Sequence, residues 1–256
     1  MPTTPVGWIR YEATYTDAVR KCGAPAPEVL GVEVVDGRDV IIFERVRGEP
    51  MWDAVMAQPG DAERLGLDLA AIHLRLLRLT PPITIPAQRS RLACKIRDAA
   101  RSGFCDAATV LALLPIPRGR IALCHGDLHP KNVLLTSEGP VVVDWFDVSR
   151  GDAIGDVART SLLLAADRGV DHEIDHEIDH EIDRKDHDVR SAHLPGASAL
   201  LLGDVHAAYL QSIRNSLDID KSSFEVWRSV EAAARLAEGV DTAPLLAIVN
   251  ELSKRG

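Results

Sequence analysis

The 256-residue chain is long enough to bury one compact core or two closely apposed lobes. Its 46% hydrophobic and 26% charged residues are those of an ordinary globular protein, and with a net charge of −9 nothing in it suggests the basic surface of a nucleic-acid-binding protein. No apolar run reaches the roughly 18 to 20 residues that cross a bilayer. Met1 to Trp8 holds no basic stretch leading into an apolar one, so a soluble, cytoplasmic protein without a membrane partner is expected. The charge is uneven: residues 171–188 hold nine acids against Arg184 and Lys185, a local −7 that leaves the rest of the chain at −2. Cys22, Cys94, Cys105 and Cys124 form no CxxC pair and read as free thiols, with Cys124 a small apolar residue ending a strand.

Residues 9–22 predict a helix with Ala13, Ala18 and Val19 near one face, stopped by Gly23, Pro25 and Pro27. Val29–Val35 and Val40–Phe43 predict two strands, and Asp36-Gly37 between them signals a hairpin turn. Gly48 and Pro50 interrupt the chain, which then becomes largely helical. Across Asp61–Leu79 the residues Leu65, Leu69, Ile72 and Leu76 repeat at three- and four-residue spacing. A second β-rich island covers residues 121–146. Helical sequence resumes beyond it, best over Arg159–Ala166, Ala197–Ser212 and Phe224–Glu238. Between these late helices the tetrapeptide DHEI occurs three times in succession. A four-residue repeat drifts about 40° per step on a helix, so His172, His176 and His180 would not hold one line. The segment reads as a solvated insertion rather than a metal site. Two strands with a helix, then a helical body broken by one β island, form an α+β arrangement.

The chemistry is concentrated in that island. In ALCHGDLHPKNVLL (residues 122–135) an apolar strand runs into a polar loop, His125 to Asn132. Val133–Leu135 and Val141–Val143 then form two strands around Ser137–Pro140. An antiparallel hairpin brings its ends to about 5 Å, and the ends here are Asn132 and Asp144. An amide oxygen and a carboxylate would converge, the hard-oxygen set that Mg²⁺ takes while a nucleotide supplies phosphate oxygens. Asp127, in the loop facing the same spot, can accept the proton of an attacking hydroxyl and orient it towards a γ-phosphate.

HGDLHPKN (125–132) followed by VVVDW (141–145) resembles the signature of the aminoglycoside phosphotransferase-like kinases, relatives of the protein kinases. The resemblance implies a protein kinase-like two-lobe fold. Residues 1–47 would form a truncated small β lobe (helix C, two strands and hinge), and 48–256 a mostly helical lobe carrying the catalytic loop and the 171–188 insertion. It makes Asp127 the catalytic base, Asn132 and Asp144 the Mg²⁺ ligands, and His125 and Asp156 structural supports. Gly151-Asp152 and Asp156-Val157-Ala158 resemble the family's following G-D…D-L-A pattern, and Lys131 stands where a glycine is common. Cys22–Leu30 and Phe43–Gly48 are similar to its small-lobe and hinge segments. There the backbone of Glu44 and Val46 would hydrogen-bond adenine, and Glu12 matches the helix glutamate that pairs with an ATP-orienting lysine. His73, in a segment resembling the family's L-A-x-L-H helix, reads as structural.

The implied activity is an ATP- and Mg²⁺-dependent phosphotransfer to a hydroxyl of a small molecule; the acceptor is not fixed by kinship. The residues before Glu12 hold neither a glycine cluster nor a lysine. Losing one preorganised donor costs on the order of 3 kcal/mol of transition-state stabilisation, and the strand pair is expected to leave an apolar edge through which chains could self-associate. Three explanations compete: a start further upstream, which is favoured, a degenerate pseudokinase, or completion by another chain. The alternative functions are therefore a kinase-like binding or scaffold protein and, more distantly, a metal-dependent hydrolase using His125, Asp127 and His129. The hydrolase reading leaves Asn132 and Asp144 unexplained.

Overall fold

The computed structural model describes residues 7–117, 119–166 and 197–253; the acidic insertion at 171–188, with His172, His176 and His180, lies outside the described residues. Helix α1 (Trp8–Lys21) buries Ala13, Thr16 and Val19, close to the expected bounds. Strands β1 (Val29–Val35) and β2 (Arg38–Phe43) pair antiparallel, with Val35 facing Arg38. Asp36 and Gly37 have φ of 50° and 77°. Positive φ at both central residues gives the turn whose twist matches the flanking strands, which is why Asp-Gly occupies it. The small sheet pairs with no other described strand, and its Leu30 and Val34 remain 60% and 63% exposed.

The Gly48–Pro50 stretch, expected only as an interruption, is also a strand. β3 (Glu49–Pro50) pairs antiparallel with β5 (Val133–Thr136), Glu49 facing Leu135. Proline is tolerated there because β3 lies at the edge, where its missing N–H leaves no partner unsatisfied. Helix α2 (Met51–Ala57) and the long helix α3 (Ala62–Leu77) follow, then α4 (Gln88–Arg101) and α5 (Ala107–Leu113). Strand β4 (Ala122–Cys124) leads into the polar loop, and β5 turns back as β6 (Gly139–Val142). A strand with no forecast, β7 (Ser149–Gly151), pairs antiparallel with β4. Helices α6 (Ala153–Ala166), α7 (Ala197–Ser216), α8 (Lys221–Arg235) and α9 (Thr242–Ser253) complete the helical body. Among the described residues no helix is long and apolar enough to cross a membrane.

The core lies between α3 and α7 on one side and α6, α8 and α4 on the other. The expected stripe on α3 is buried: Leu65, Leu69, Ile72 and Leu76 all face inward, with His73 among them. Each such aliphatic side chain contributes about 1.5–3 kcal/mol. Gly66 belongs to the same face for another reason. A Cβ there would lie 2.4 Å from Val205 O and 2.9 Å from the Ala208 side chain, so its absence sets how closely α3 and α7 approach. On the other side, α8 carries Glu231 into the interior beside Arg159 of α6. Burial pushes the Glu231 carboxyl up to about 8, and the Arg159 charge offsets only part of that shift.

Gly66→Ala is expected to destabilise the protein by about 1–3 kcal/mol through overpacking of α3 on α7; urea unfolding measures it, and an unchanged midpoint would remove the contact's importance. Glu231 binds a proton in the folded chain that the unfolded chain, near its ordinary 4.5, releases. Its stabilising contribution is complete below the lower value and is lost as pH rises through the higher one. The melting temperature should therefore decline from neutral to mildly alkaline pH, and decline less in Glu231→Gln. Parallel curves for the two proteins would assign the decline to another group.

Candidate active site

The polar loop is held from beneath by one carboxylate. Asp156, in the first turn of α6, accepts hydrogen bonds from the backbone N–H of His125 (2.7 Å) and Gly126 (2.8 Å), and lies 3.0 Å from His73 Nε2. His73 Nδ1 faces the Tyr209 hydroxyl at 2.7 Å, so the ring bridges α3, α6 and α7 in the role expected of it. Burial alone would raise the Asp156 carboxyl, but the His73 bond and charge and the Gly126 N–H outweigh it and keep the group below the usual carboxylate range. Gly126 has φ of 82°, and a Cβ on it would lie 2.2 Å from Asp147 O. No other residue fits between His125 and Asp127.

His125 is fully buried, its ring against Trp145 at 4.6 Å between centroids. Its Nδ1 accepts from the Asp127 N–H (3.2 Å), which leaves Nε2 to donate to Val143 O (3.1 Å). With both ring nitrogens used, His125 has none left to share a metal ion with His129. His129 accepts from the Lys131 N–H at 3.4 Å and turns Nε2 towards Asp127, 3.6 Å away. Lys131 places its ammonium over the Trp52 ring at 4.5 Å. Cys124 is buried at the end of β4 with its thiol pushed up by burial, in keeping with a small apolar residue there.

Asp127 lies in a loop but is closely packed. Its side chain is only 24% exposed, and its Oδ1 accepts from Arg159 Nη2 at 2.8 Å. Its Oδ2 lies 3.4 Å from Asn132 Nδ2, which also donates to the Asp127 carbonyl at 2.9 Å. Burial would raise this carboxyl, yet the bond from His129 and the charge of Arg159 hold it well below the usual range. Asp127 is thus ionised and fixed in orientation. The amide nitrogen of Asn132 points back at Asp127, which leaves its Oδ1 as the acceptor for another group.

The hairpin gathers the remaining residues with one adjustment. Its register pairs Val133 with Val142, and the Val143 N–H donates to Asn132 O at 3.0 Å. Asn132 therefore faces Val143, not Asp144, and β6 ends one residue earlier than expected. Asp144 lies one position further on, at φ of 60°, a left-handed step that short polar side chains tolerate. Trp145 fixes that step by burying its ring and donating Nε1–H to Val142 O at 2.8 Å. Burial and then the neighbouring Asp127 charge raise the Asp144 carboxyl. Glu12 on α1 is pushed up to about 7 by burial and next by Asp144. Among the described residues Glu12 makes no ion pair. At the hinge, the Glu44 N–H is spent on Glu28 O (2.9 Å) and its side chain accepts from the Glu28 N–H (2.8 Å). Among the described residues the Glu44 carbonyl and the Val46 N–H have no such partner.

Several residues around Asp127 were not singled out in the sequence. Arg159, 5% exposed at its side chain, also donates Nε–H to Gly126 O (3.0 Å) and pairs with Glu238 (3.0 Å). Glu238 meets Lys95 (2.8 Å), Lys95 meets Asp147 (2.6 Å), and Asp147 meets Arg91, which in turn bonds the Tyr11 hydroxyl. Phe146 packs on Trp8 (5.2 Å) and Tyr11 (5.8 Å), joining α1 to this string. Arg159 had a signal: a charge inside the apolar run Val157–Ala166, three residues after Asp156. Lys95 and Glu238, 143 residues apart, had none.

A family profile described as the phosphotransferase enzyme family matches residues 4–185. No curated protein matches the chain. Among solved structures, the fold is similar to an aminoglycoside-3'-phosphotransferase of type VIII, at 20% identity and TM-score 0.59, covering 89% of this chain and 80% of that one. It is also similar to an aminoglycoside phosphotransferase from Streptomyces rimosus, solved in one case with ADP and streptomycin, at 18% identity and TM-score 0.54, covering 91% and 84%. A thermostable mutant of a further aminoglycoside phosphotransferase aligns at 15% identity and TM-score 0.58, covering 96% and 84%. At such identities these likenesses concern the protein kinase-like fold, while the profile spans the polar loop, the hairpin and most of the chain: the protein belongs to the phosphotransferase enzyme family.

Proposed function

We propose that the protein transfers the γ-phosphoryl group of ATP to a hydroxyl of a small molecule, with Asp127 as the catalytic base. The observation that carries this reading is the meeting of Asp127, Asn132 and Asp144 around one point, with Asp127 ionised and oriented by Arg159. The bond from the acceptor oxygen to γ-phosphorus forms as the bond to the β–γ bridging oxygen breaks, and that electron pair leaves with ADP. The acceptor proton passes to Asp127. So weakly basic a carboxylate suits late proton transfer in a loose transition state, where aligning the hydroxyl matters more than removing its proton early.

In this reading residues 1–47 form the small lobe and 48–256 the large one. Adenine would sit against the Glu44 carbonyl and Val46 N–H, while His125 and Asp156 hold the loop. Asp144 and Asn132 suit Mg²⁺: among the described residues no donor meets the Asn132 Oδ1, and the Asp144 carboxylate lies beside Asp127 and Glu12 without an ion pair. When bound, the metal would offset charge on the β- and γ-phosphates. A second reading, a kinase-like chain that binds nucleotide without turnover, draws on the absence of an ion pair at Glu12 among the described residues. Tight Mg·ATP binding without ADP release over a broad panel of alcohols would favour it.

Asp127→Asn is expected to lower kcat by about 10²- to 10⁴-fold with the ATP KM little changed; wild-type turnover would remove Asp127 as the base. Asp144→Ala should raise the Mg²⁺ concentration needed for half-maximal rate steeply, and an unaltered Mg²⁺ titration would count against its ligand role.

A further inference from the structure

Strands β1 and β2 read VLGVEVV and RDVIIF, yet none of their residues is buried, although α1 packs against the pair. Leu30, Val34 and Val35 stay 60%, 63% and 49% exposed. A two-stranded hairpin is marginal in water, and further strands stabilise it. Among the described residues no strand joins either outer edge.

The ladder fixes what the β2 edge offers. Hydrogen-bonded and non-bonded pairs alternate along an antiparallel ladder, and the pair that closes a two-residue turn is a bonded one. Val35 and Arg38 close the Asp36-Gly37 turn, so Arg38, Val40 and Ile42 spend their N–H and C=O groups on β1. The next even position agrees, since the Glu44 N–H donates to Glu28 O at 2.9 Å. Asp39, Ile41 and Phe43 therefore aim their N–H and C=O groups outward. Such a row is a template for another strand.

The edge is complementary to itself. A two-fold axis at Ile41 sets Ile41 against the same residue of a second copy, and Asp39 against its Phe43. All of these face outward, so each pair can exchange both bonds. The same register sets Val40 against Ile42 and Arg38 against Glu44, at the non-bonded positions where side chains come closest. Arg38 and Glu44 are both exposed. Asp39 brings no loose charge into its pair, because Arg10 lies 3.5 Å from it. A one-residue slip would set outward groups against groups already spent on β1. Moving the axis to Val40 or Ile42 keeps the bonds but puts Ile42 opposite Arg38, or Val40 opposite Glu44.

We infer that this edge pairs with the same edge of a second copy of the chain, giving a two-fold dimer with one continuous sheet in the order β1-β2-β2-β1. The pairing does not depend on the phosphotransferase reading. Sedimentation equilibrium of the full chain from about 1 to 100 μM is expected to show monomer and dimer in exchange. A monomer throughout, or growth beyond the dimer, would overturn the inference. Arg38→Glu sets acid against acid and Glu44→Arg sets cation against cation, so each variant alone should dimerise about tenfold more weakly. An equimolar mixture of the two restores opposite charges at both ends of the pairing, and a heterodimer is expected. Wild-type dimerisation of either variant, or a mixture that stays monomeric, would place the contact elsewhere. Should Glu44→Arg fail to fold on losing its bond to the Glu28 N–H, Ile41→Pro reads the same edge. It removes an outward N–H while sparing the bonds to β1; it is expected to be monomeric where the wild type is dimeric, and a dimeric Ile41→Pro would sink the idea.

Discussion

The site depends on the Asp156 carboxylate, a charge buried where three elements meet. Two backbone N–H groups of the polar loop and the His73 imidazole surround it, so the loop, α3 and α6 share one anchor. Breaking a buried, paired charge by removing one partner typically costs about 3–5 kcal/mol, and each donor here therefore enforces the position of the others. The loop conformation follows: His125 turns its ring under Trp145, Gly126 takes a backbone shape only glycine fills, and Asp127 emerges next to Arg159. One turn of α6 supplies both the anchor and the cation, since Asp156 and Arg159 are three residues apart on it.

From Arg159 outward the charges alternate in sign through Glu238, Lys95, Asp147 and Arg91. Its five members come from four segments: Arg159 from α6, Glu238 from the turn after α8, Lys95 and Arg91 from α4, and Asp147 from the residues between β6 and β7. No short stretch of sequence could build it. Its far end reaches Tyr11 on α1, where Phe146 also packs. Asp127 is thereby linked through this string to the helix that carries Glu12, a connection between the small β lobe and the helical body that does not require an ion pair at Glu12.

Much of the local structure was legible because its causes are local. The stripe on α3, the Asp36-Gly37 turn and the strand-loop-hairpin order from Ala122 to Asp144 each arise from neighbours within a few residues. So does the meeting of Asp127 and Asn132, a carboxylate and an amide five residues apart in one loop. Where the reading slipped, the cause was long-range or a matter of register. β3 and β7 are too short to carry a pattern of their own and exist because β5 and β4 offer them edges. Asp144 was placed opposite Asn132 because a hairpin's last pair cannot be counted from sequence to one residue, and only the ladder from Val133 to Val142 settles it.

The amino-acid sequence by itself determined the fold class and the family signature and singled out Asp127, Asn132 and Asp144 as candidates, since periodicity, turn chemistry and motif spacing act over a few residues. The tertiary structure decided how Asp127 is held and what surrounds it. Arg159, Glu238, Lys95, Asp147 and Arg91 lie up to 147 positions apart, and nothing local marks them as neighbours. Their pairing follows from the packing of α4, α6 and α8, which brings these charges together away from solvent.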